Sequence, residues 1–441
     1  MQGGHTMGKT RGRAASKLFL LSYLFVFLIS GSGASYANTE PAGDAVFQKG
    51  ICYATWSKDR FASEYSDKAL KMIKAMGVDC LQVNVTQYQQ EFNSTEIFAT
   101  DCTPSDKSVK HVIKEAHKNG LKVMLKPHID LISKDSGFWR ADIGFYDEKS
   151  WEEWFKEYEK FILHYARIAQ RYDVEMFCVG TELCFTTQKG DKWRGVIEEV
   201  RKKYDGKLIY AANWDNYQNI SFWDALDYVG IDAYFPLTYK ENPSVEDIKK
   251  GWIRWMTEIE IWHEQIKRPV IFTEIGYSSS SLAAGYPWKN GRGNADVRMQ
   301  AKCYTAFFQT VWKRPWLGGV YWWRMAPTIY GGGANNRHFT PLKKPAAKII
   351  KDNYGEESAP RFARAAAPGT GPERTGIRKM PETGIKTLKE YLKVPSASTV
   401  EPLGESMNFM HTSMVLPLLK TQHGDQFRKR WEEKQMLESL N

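Results

Sequence analysis

Two glutamates, Glu182 and Glu274, each close a short apolar run, Phe177–Thr181 and Val270–Thr273. A carboxylate placed directly after such a run is costly to desolvate and is seldom found there without a role. Paired across a cavity, two carboxyls can cleave a glycosidic bond. One, as the acid, protonates the departing oxygen while the other attacks the anomeric carbon. A separation of about 5–5.5 Å gives retention through a covalent glycosyl-enzyme. The acid must rest protonated, so burial and its partner's charge are expected to raise its pKa. The competing reading is a structural ion pair inside the fold, with Lys126 as counter-ion. Perturbed carboxyls at strand ends mark function more often than structure.

The elements that would position these groups are legible as alternation. Eight β-branched runs read as strands: Gly50–Ala54, Cys80–Val85, Lys122–Lys126, Met176–Gly180, Leu208–Ala212, Tyr228–Ala233, Val270–Glu274 and Gly319–Trp323. Helical spacing fills most gaps. The clearest case is Trp151–Tyr172, where Trp154, Phe155, Tyr158, Phe161, Ile162, Tyr165 and Ala169 recur at three- and four-residue steps. Ser105–Asn119, Asp191–Tyr204, Ser244–Gln265, Asp296–Trp312 and Pro345–Asp352 read as further helices, while Ser221–Leu226 carries only a weak signal. The pattern predicts an α/β fold, a (β/α)8 TIM barrel over residues 38–354. A doubly wound sheet would show a Gly-rich loop after its first strand, and Tyr53-Ala54-Thr55-Trp56 is no such loop.

Barrel enzymes keep functional groups at the C-terminal strand ends. The candidates there are Trp56, Asn84, Lys126 with His128, Thr181 beside Glu182, Asn213-Trp214, Asp232 with Tyr234, Glu274, and Trp322-Trp323. His128 reads equally as a sugar-binding group or as a neutral histidine on the rim. Lys126 suits a subsite or an ion pair better than a Schiff base, which would leave the glutamate pair unexplained. Asn84 and Asn213 could bond sugar hydroxyls or cap loops. Asp232 reads as a third acidic group with a hydrogen-bonding or structural part. Trp56, Trp214 and Trp288 fall in loops and could stack on sugars, whereas Trp154, Trp255 and Trp312 fall on helices and read as packing. Gly331–Asn336 lacks the lysine and following helix of a phosphate cradle and reads as a mobile loop at the cleft rim.

Bulk properties narrow the class. The net charge of +10 and the sixteen tryptophans stand out. Four of the ten positive charges belong to residues 1–37 and two to residues 355–441, leaving +4 for the barrel. That excess is mild, with no basic stripe, so nucleic acid is an unfavoured partner. Lys9, Arg11, Arg13 and Lys17 precede a short apolar run, Leu18–Ile29, and then Ser35-Tyr36-Ala37. This reads as a signal peptide cleaved after Ala37, which places the mature chain outside the cytoplasm, secreted or periplasmic, with no membrane span. Residues 355–441, with Ala/Pro/Gly-rich stretches, read as a low-complexity, disordered tail. Of six cysteines, only Cys102 and Cys184 are a pair to test for a bridge, and no Cys/His spacing suggests a metal.

Phe177–Glu182 and Val270–Tyr277 resemble the strand-4 and strand-7 signatures of clan A of the glycoside hydrolases. Within that clan the chain most resembles glycoside hydrolase family 113, from about Ile51 to Tyr354. The resemblance implies a retaining, endo-acting enzyme on β-1,4-mannan that needs no cofactor, with Glu182 as acid/base and Glu274 as nucleophile. It also implies that Tyr234 bonds the nucleophile and that Trp322 or Trp323 floors the −1 subsite. Thr181 stands where much of the clan has an asparagine contacting the sugar 2-hydroxyl. Mannose carries an axial 2-hydroxyl, so an altered contact is compatible with it. The alternatives are another clan A specificity (β-mannosidase, β-glucosidase or β-glucanase) and a non-catalytic carbohydrate-binding barrel. A polysaccharide or oligosaccharide is the expected partner, and the chain is expected to be a monomer. Truncation after Gly355 is expected to leave activity nearly intact, as reducing-sugar release would measure, whereas loss of folding would place part of the core in the tail.

Overall fold

The computed structural model describes residues 47–133 and 137–355. The leader read at residues 1–37 and the tail beyond Gly355 lie outside the described residues. Eight parallel strands close into a barrel in sequence order. They are β1 (Gln48–Ala54), β2 (Cys80–Gln89), β3 (Lys122–Leu131) and β4 (Met176–Thr181), then β5 (Lys207–Asn213), β6 (Tyr228–Asp232), β7 (Val270–Ile275) and β8 (Leu317–Met325). Helices α1 (Glu64–Ala75), α2 (Asp106–Lys118), α3 (Glu148–Arg171) and α4 (Gly190–Arg201) follow the first four strands. Helices α5 (Val245–Ile266), α6 (Val297–Thr310) and α7 (Pro345–Tyr354) follow the last three. No helix among the described residues is long and apolar enough to cross a membrane.

The helices start where side chains can satisfy their free N–H groups. Asp147 caps α3 by accepting from the Ser150 N–H at 2.8 Å, and Ser105 caps α2 through the Ser108 N–H at 3.2 Å. The apolar stripe of α3 buries Trp154, Tyr158, Ile162, Tyr165 and Ala169 against the barrel. Helix α1 was not among the segments read as helical. Its buried face, Ser66, Ala69, Leu70 and Ile73, does recur at three- and four-residue steps, but two of the four are small side chains set among charged residues. After β5 no α-helix forms. Two short 3₁₀ turns, Tyr217–Asn219 and Trp223–Ala225, take its place, and the buried Tyr217, Phe222 and Trp223 cover the strands instead.

Strands β2 and β3 run well past the apolar runs that announce them. They pair residue for residue from Cys80↔Lys122 to Gln89↔Leu131, carrying His128 within β3. The added part of β2, Thr86-Gln87-Tyr88-Gln89, is largely polar, whereas β3 continues by alternating Ile129 and Leu131 with His128 and Asp130. Strand β4 departs from simple alternation. Its pairing with β5 shifts between Cys178 and Thr181. A Cβ on Gly180 would fall 2.6 Å from the Tyr210 ring and 2.7 Å from Trp193 in the helical layer. Only glycine lets the chain pass there just before Glu182. All six cysteines are free, so Cys102 and Cys184 are not bridged in this structure. Gly180→Ala should destabilise the barrel by about 1–3 kcal/mol through forced repacking, read as a lower urea midpoint.

Candidate active site

Inside the barrel, alternate residues of the strands form a buried cluster that includes Cys52, Met124, Met176, Cys178, Ile209, Ile271 and Tyr321. Above this apolar floor the inward positions turn polar. The centre is Lys126, whose side chain is fully buried. Its Nζ donates to Oδ1 and Oδ2 of Asp232 at 2.9 and 3.0 Å and to Oε1 of Glu274 at 2.7 Å. Burial disfavours the ammonium, but the two carboxylates outweigh it and hold its pKa above the ordinary lysine value. Asp232 also accepts from the Thr273 hydroxyl at 2.7 Å. Burial, and then the charge of Glu274, push the Asp232 carboxyl well above its usual range, with Lys126 opposing them.

Glu274 is held at both oxygens. Lys126 occupies Oε1, and the Tyr234 hydroxyl donates to Oε2 at 2.8 Å. Burial and the neighbouring Glu274 keep the Tyr234 phenol protonated, so it remains a donor. The pairing of β6 with β7 shifts so that Ile231 faces Phe272 but Asp232 faces Glu274. The extra residue lets both Thr273 and Glu274 reach groups inside the barrel. His128 Nε2 lies 3.9 Å from Glu274 Oε1 and 2.8 Å from Asn84 Nδ2. Burial and the cations Lys126 and Arg140 lower the His128 pKa well below the usual histidine value, so the ring is neutral. A neutral ring can accept from Asn84 at Nε2 while carrying its proton on Nδ1.

Glu182 follows β4 with a backbone φ of +51°, a left-handed conformation that costs a non-glycine residue about 1–2 kcal/mol. Its N–H is tied to the Ala211 carbonyl of β5 at 2.8 Å, which helps hold that geometry. The carboxyl meets Arg140 Nη1 at 2.7 Å. Burial raises the Glu182 pKa, and the charge of Glu274 adds to it. Arg140 and Lys126 act against both.

The strand-end candidates divide by exposure. Lys126, Thr181 and Asp232 are all but sealed from solvent, at 0, 1 and 0% exposure. Each was expected to bind substrate; the structure sets them in the barrel interior, where Lys126 bonds Asp232 and Glu274. Trp322, also expected to bind substrate, points away from the barrel interior. It is fully buried on the helical side and stacks on Tyr304 of α6 at 3.9 Å. Trp323, the next residue, faces the interior, half-buried over the apolar floor. Asn213 is nearly buried, and its amide caps its own loop by donating to Asp215 at 2.7 Å.

On the rim, Trp56 is 42% exposed with the Arg324 guanidinium 4.6 Å from its ring centre. Trp214 stacks on the exposed Trp288 at 5.9 Å and 13°. Trp154, Trp255 and Trp312 are buried, as helix packing requires. The loop at Gly331–Asn336 folds back on Leu342. Gly333 donates to its carbonyl at 3.0 Å, and Gly332, at φ +73°, has no room for a Cβ beside it. Arg140 escaped the sequence reading. It lies in the long connection between β3 and α3, and nothing in its neighbourhood announces a role.

A closed parallel barrel with this carboxyl and lysine cluster at its C-terminal mouth is an enzyme architecture of the clan A type. The profile of glycoside hydrolase family 113 matches residues 52–344. The chain therefore belongs to glycoside hydrolase family 113 and is a glycoside hydrolase. A solved family 113 β-1,4-mannanase is 32% identical with a TM-score of 0.64, covering 70% of this chain and 99% of its own. A structure of a family 113 β-1,4-mannanase complex is 31% identical at the same TM-score of 0.64 and the same coverage of 70% and 99%. The family 113 β-mannanase of Alicyclobacillus acidocaldarius, in complex with ManMIm, is 26% identical at a TM-score of 0.64, covering 70% and 97%. Comparison with curated proteins found no match. Trp322→Ala should lower stability by about 3–5 kcal/mol, as a large cavity in the helical layer requires. KM for a hydrolysed glycoside should stay unchanged in the folded variant.

Proposed function

We propose that this protein is an exported, retaining endo-β-1,4-mannanase working by double displacement. The observation that carries the reading is the unequal treatment of two carboxyls at the mouth of one barrel. Glu274 is fixed at both oxygens by Lys126 and Tyr234, while Glu182 is raised by burial and by the charge of Glu274. That difference is what acid and nucleophile require.

In the first half of the reaction, a Glu274 oxygen attacks the anomeric carbon and the bond to the leaving sugar breaks. The Glu182 proton passes to the departing oxygen. In the second half, the Glu182 carboxylate takes a proton from water, whose oxygen attacks the same carbon and releases Glu274. Trp323 offers a face beneath the reacting sugar. His128 stands beside Glu274 with Asn84 bonded to it, where the pair can bond hydroxyls of the sugar, and Trp56 and Trp214 with Trp288 supply stacking surfaces along the rim. The resemblance of the barrel to β-1,4-mannanases over nearly their whole length supports mannan as the substrate. Export rests on the basic and apolar leader of residues 1–37.

The test is reducing-sugar release from mannan, glucomannan, xylan and β-glucan. Mannan-selective release should fall by about 10²–10⁴-fold in Glu182→Gln. Glu274→Ala should be nearly inactive, and azide should restore turnover as a glycosyl azide of inverted configuration. Binding to these polymers with no release from any of them would point to a non-catalytic carbohydrate-binding barrel.

A further inference from the structure

The mechanism above uses Glu182 twice in opposite protonation states, as an acid and then as a base. A buried carboxyl beside a second carboxylate is well suited to the first task and poorly suited to the second. Among the described residues, the cation that touches Glu182 is Arg140, from the connection between β3 and α3. Arg140 is itself anchored. Its Nε donates to the Ile129 carbonyl at 3.0 Å, and Nη2 lies 3.5 Å from Asp130 Oδ2. Two of its nitrogens therefore fix the guanidinium at the end of β3, while Nη1 is aimed at Glu182 Oε2 at 2.7 Å.

We propose that Arg140 is a positioning residue for Glu182: its anchored guanidinium aims the carboxyl at the scissile bond and stabilises the carboxylate that the second half-reaction needs. The proposal rests on the reading of Glu182 as acid/base. The charged and titratable groups around Glu182 come from every neighbouring element. They are Arg140, Lys126 on β3, Asp232 and Tyr234 at the end of β6, Glu274 on β7, and Cys184 in its own loop. Before reaction, burial and the Glu274 charge favour the proton on Glu182, against Arg140 and Lys126. Once Glu274 is esterified by the sugar its charge is gone, whereas Arg140 remains in contact. The balance then tips to the carboxylate without any movement of the protein.

The experiment is the pH dependence of kcat/KM on a mannan oligosaccharide for wild type, Arg140→Met, Arg140→Lys and Asp130→Asn, with Glu182→Gln alongside. Loss of the acid form of Glu182 sets the alkaline limb. Removing the cation in Arg140→Met makes the proton harder to lose, so the limb should move to higher pH by about one unit. Arg140→Lys should return it towards wild type. Asp130→Asn removes a negative charge from the far side of Arg140 and should move the limb the other way. That variant also keeps the test decisive if Arg140→Met fails to fold. A purely structural arginine would lower activity without shifting the limb in opposite directions. A limb unmoved in folded Arg140→Met, or in Asp130→Asn, overturns the proposal while leaving the acid/base reading standing. Persistence of the wild-type limb in Glu182→Gln overturns the acid/base reading itself, and the role of Arg140 with it.

Discussion

The buried ammonium of Lys126 is the interaction on which the rest of the site depends. It enters from β3 and spends all three of its hydrogens on carboxylates from β6 and β7. A charged lysine without solvent is tolerable only because both partners are in direct contact. Equally, two carboxylates so close together are tolerable only because the lysine lies between them. Removing the lysine leaves both carboxyls without a counter-ion in the interior, the situation that costs several kcal/mol. Glu274 therefore owes its fixed position to buried partners, Lys126 at one oxygen and Tyr234 at the other.

From that centre the polarity of the barrel follows a vertical order. Sulfur and aliphatic side chains close the bottom, the lysine and its carboxylates occupy the middle, and amides, imidazole and indoles reach the mouth. The order places the least solvated charges where water is scarcest, which strengthens every electrostatic effect among them. Glu182 sits higher, at the end of β4, with its own cation supplied by a loop rather than by a strand. Two carboxyls of one chemical type thus acquire different environments because one is anchored from below and the other from the side.

The wide aromatic content serves two separate purposes. Trp154, Trp193, Trp252, Trp312 and Trp322 are fully buried between barrel and helices, where ring packing replaces finer side-chain interlocking. Trp56, Trp214 and Trp288 gather at loop ends with faces open or half-open. Composition alone cannot separate these groups. Trp322 and Trp323 are adjacent and chemically identical, yet one faces the helices and the other the cleft, because successive residues on a strand point to opposite sides.

The strand count, their order and the barrel class were all legible from the chain, and the same reading singled out the two glutamates as candidates. Those features depend on local signals: β-branched runs, three- and four-residue apolar spacing, and a charge placed after an apolar run. Strand ends were less legible. The mouth-facing half of β2 is largely polar and that of β3 mixes polar with apolar residues, and hydrophobicity marks burial rather than hydrogen-bonding register. What tertiary structure alone decided was contact between residues distant in sequence. It brought Lys126 to Glu274 and Asp232, and it sealed Thr181 beneath the rim. It also delivered Arg140 to Glu182 across 42 positions of chain. Such pairings depend on barrel closure and on shifts of register at β4 and β7, and no single segment of sequence contains them.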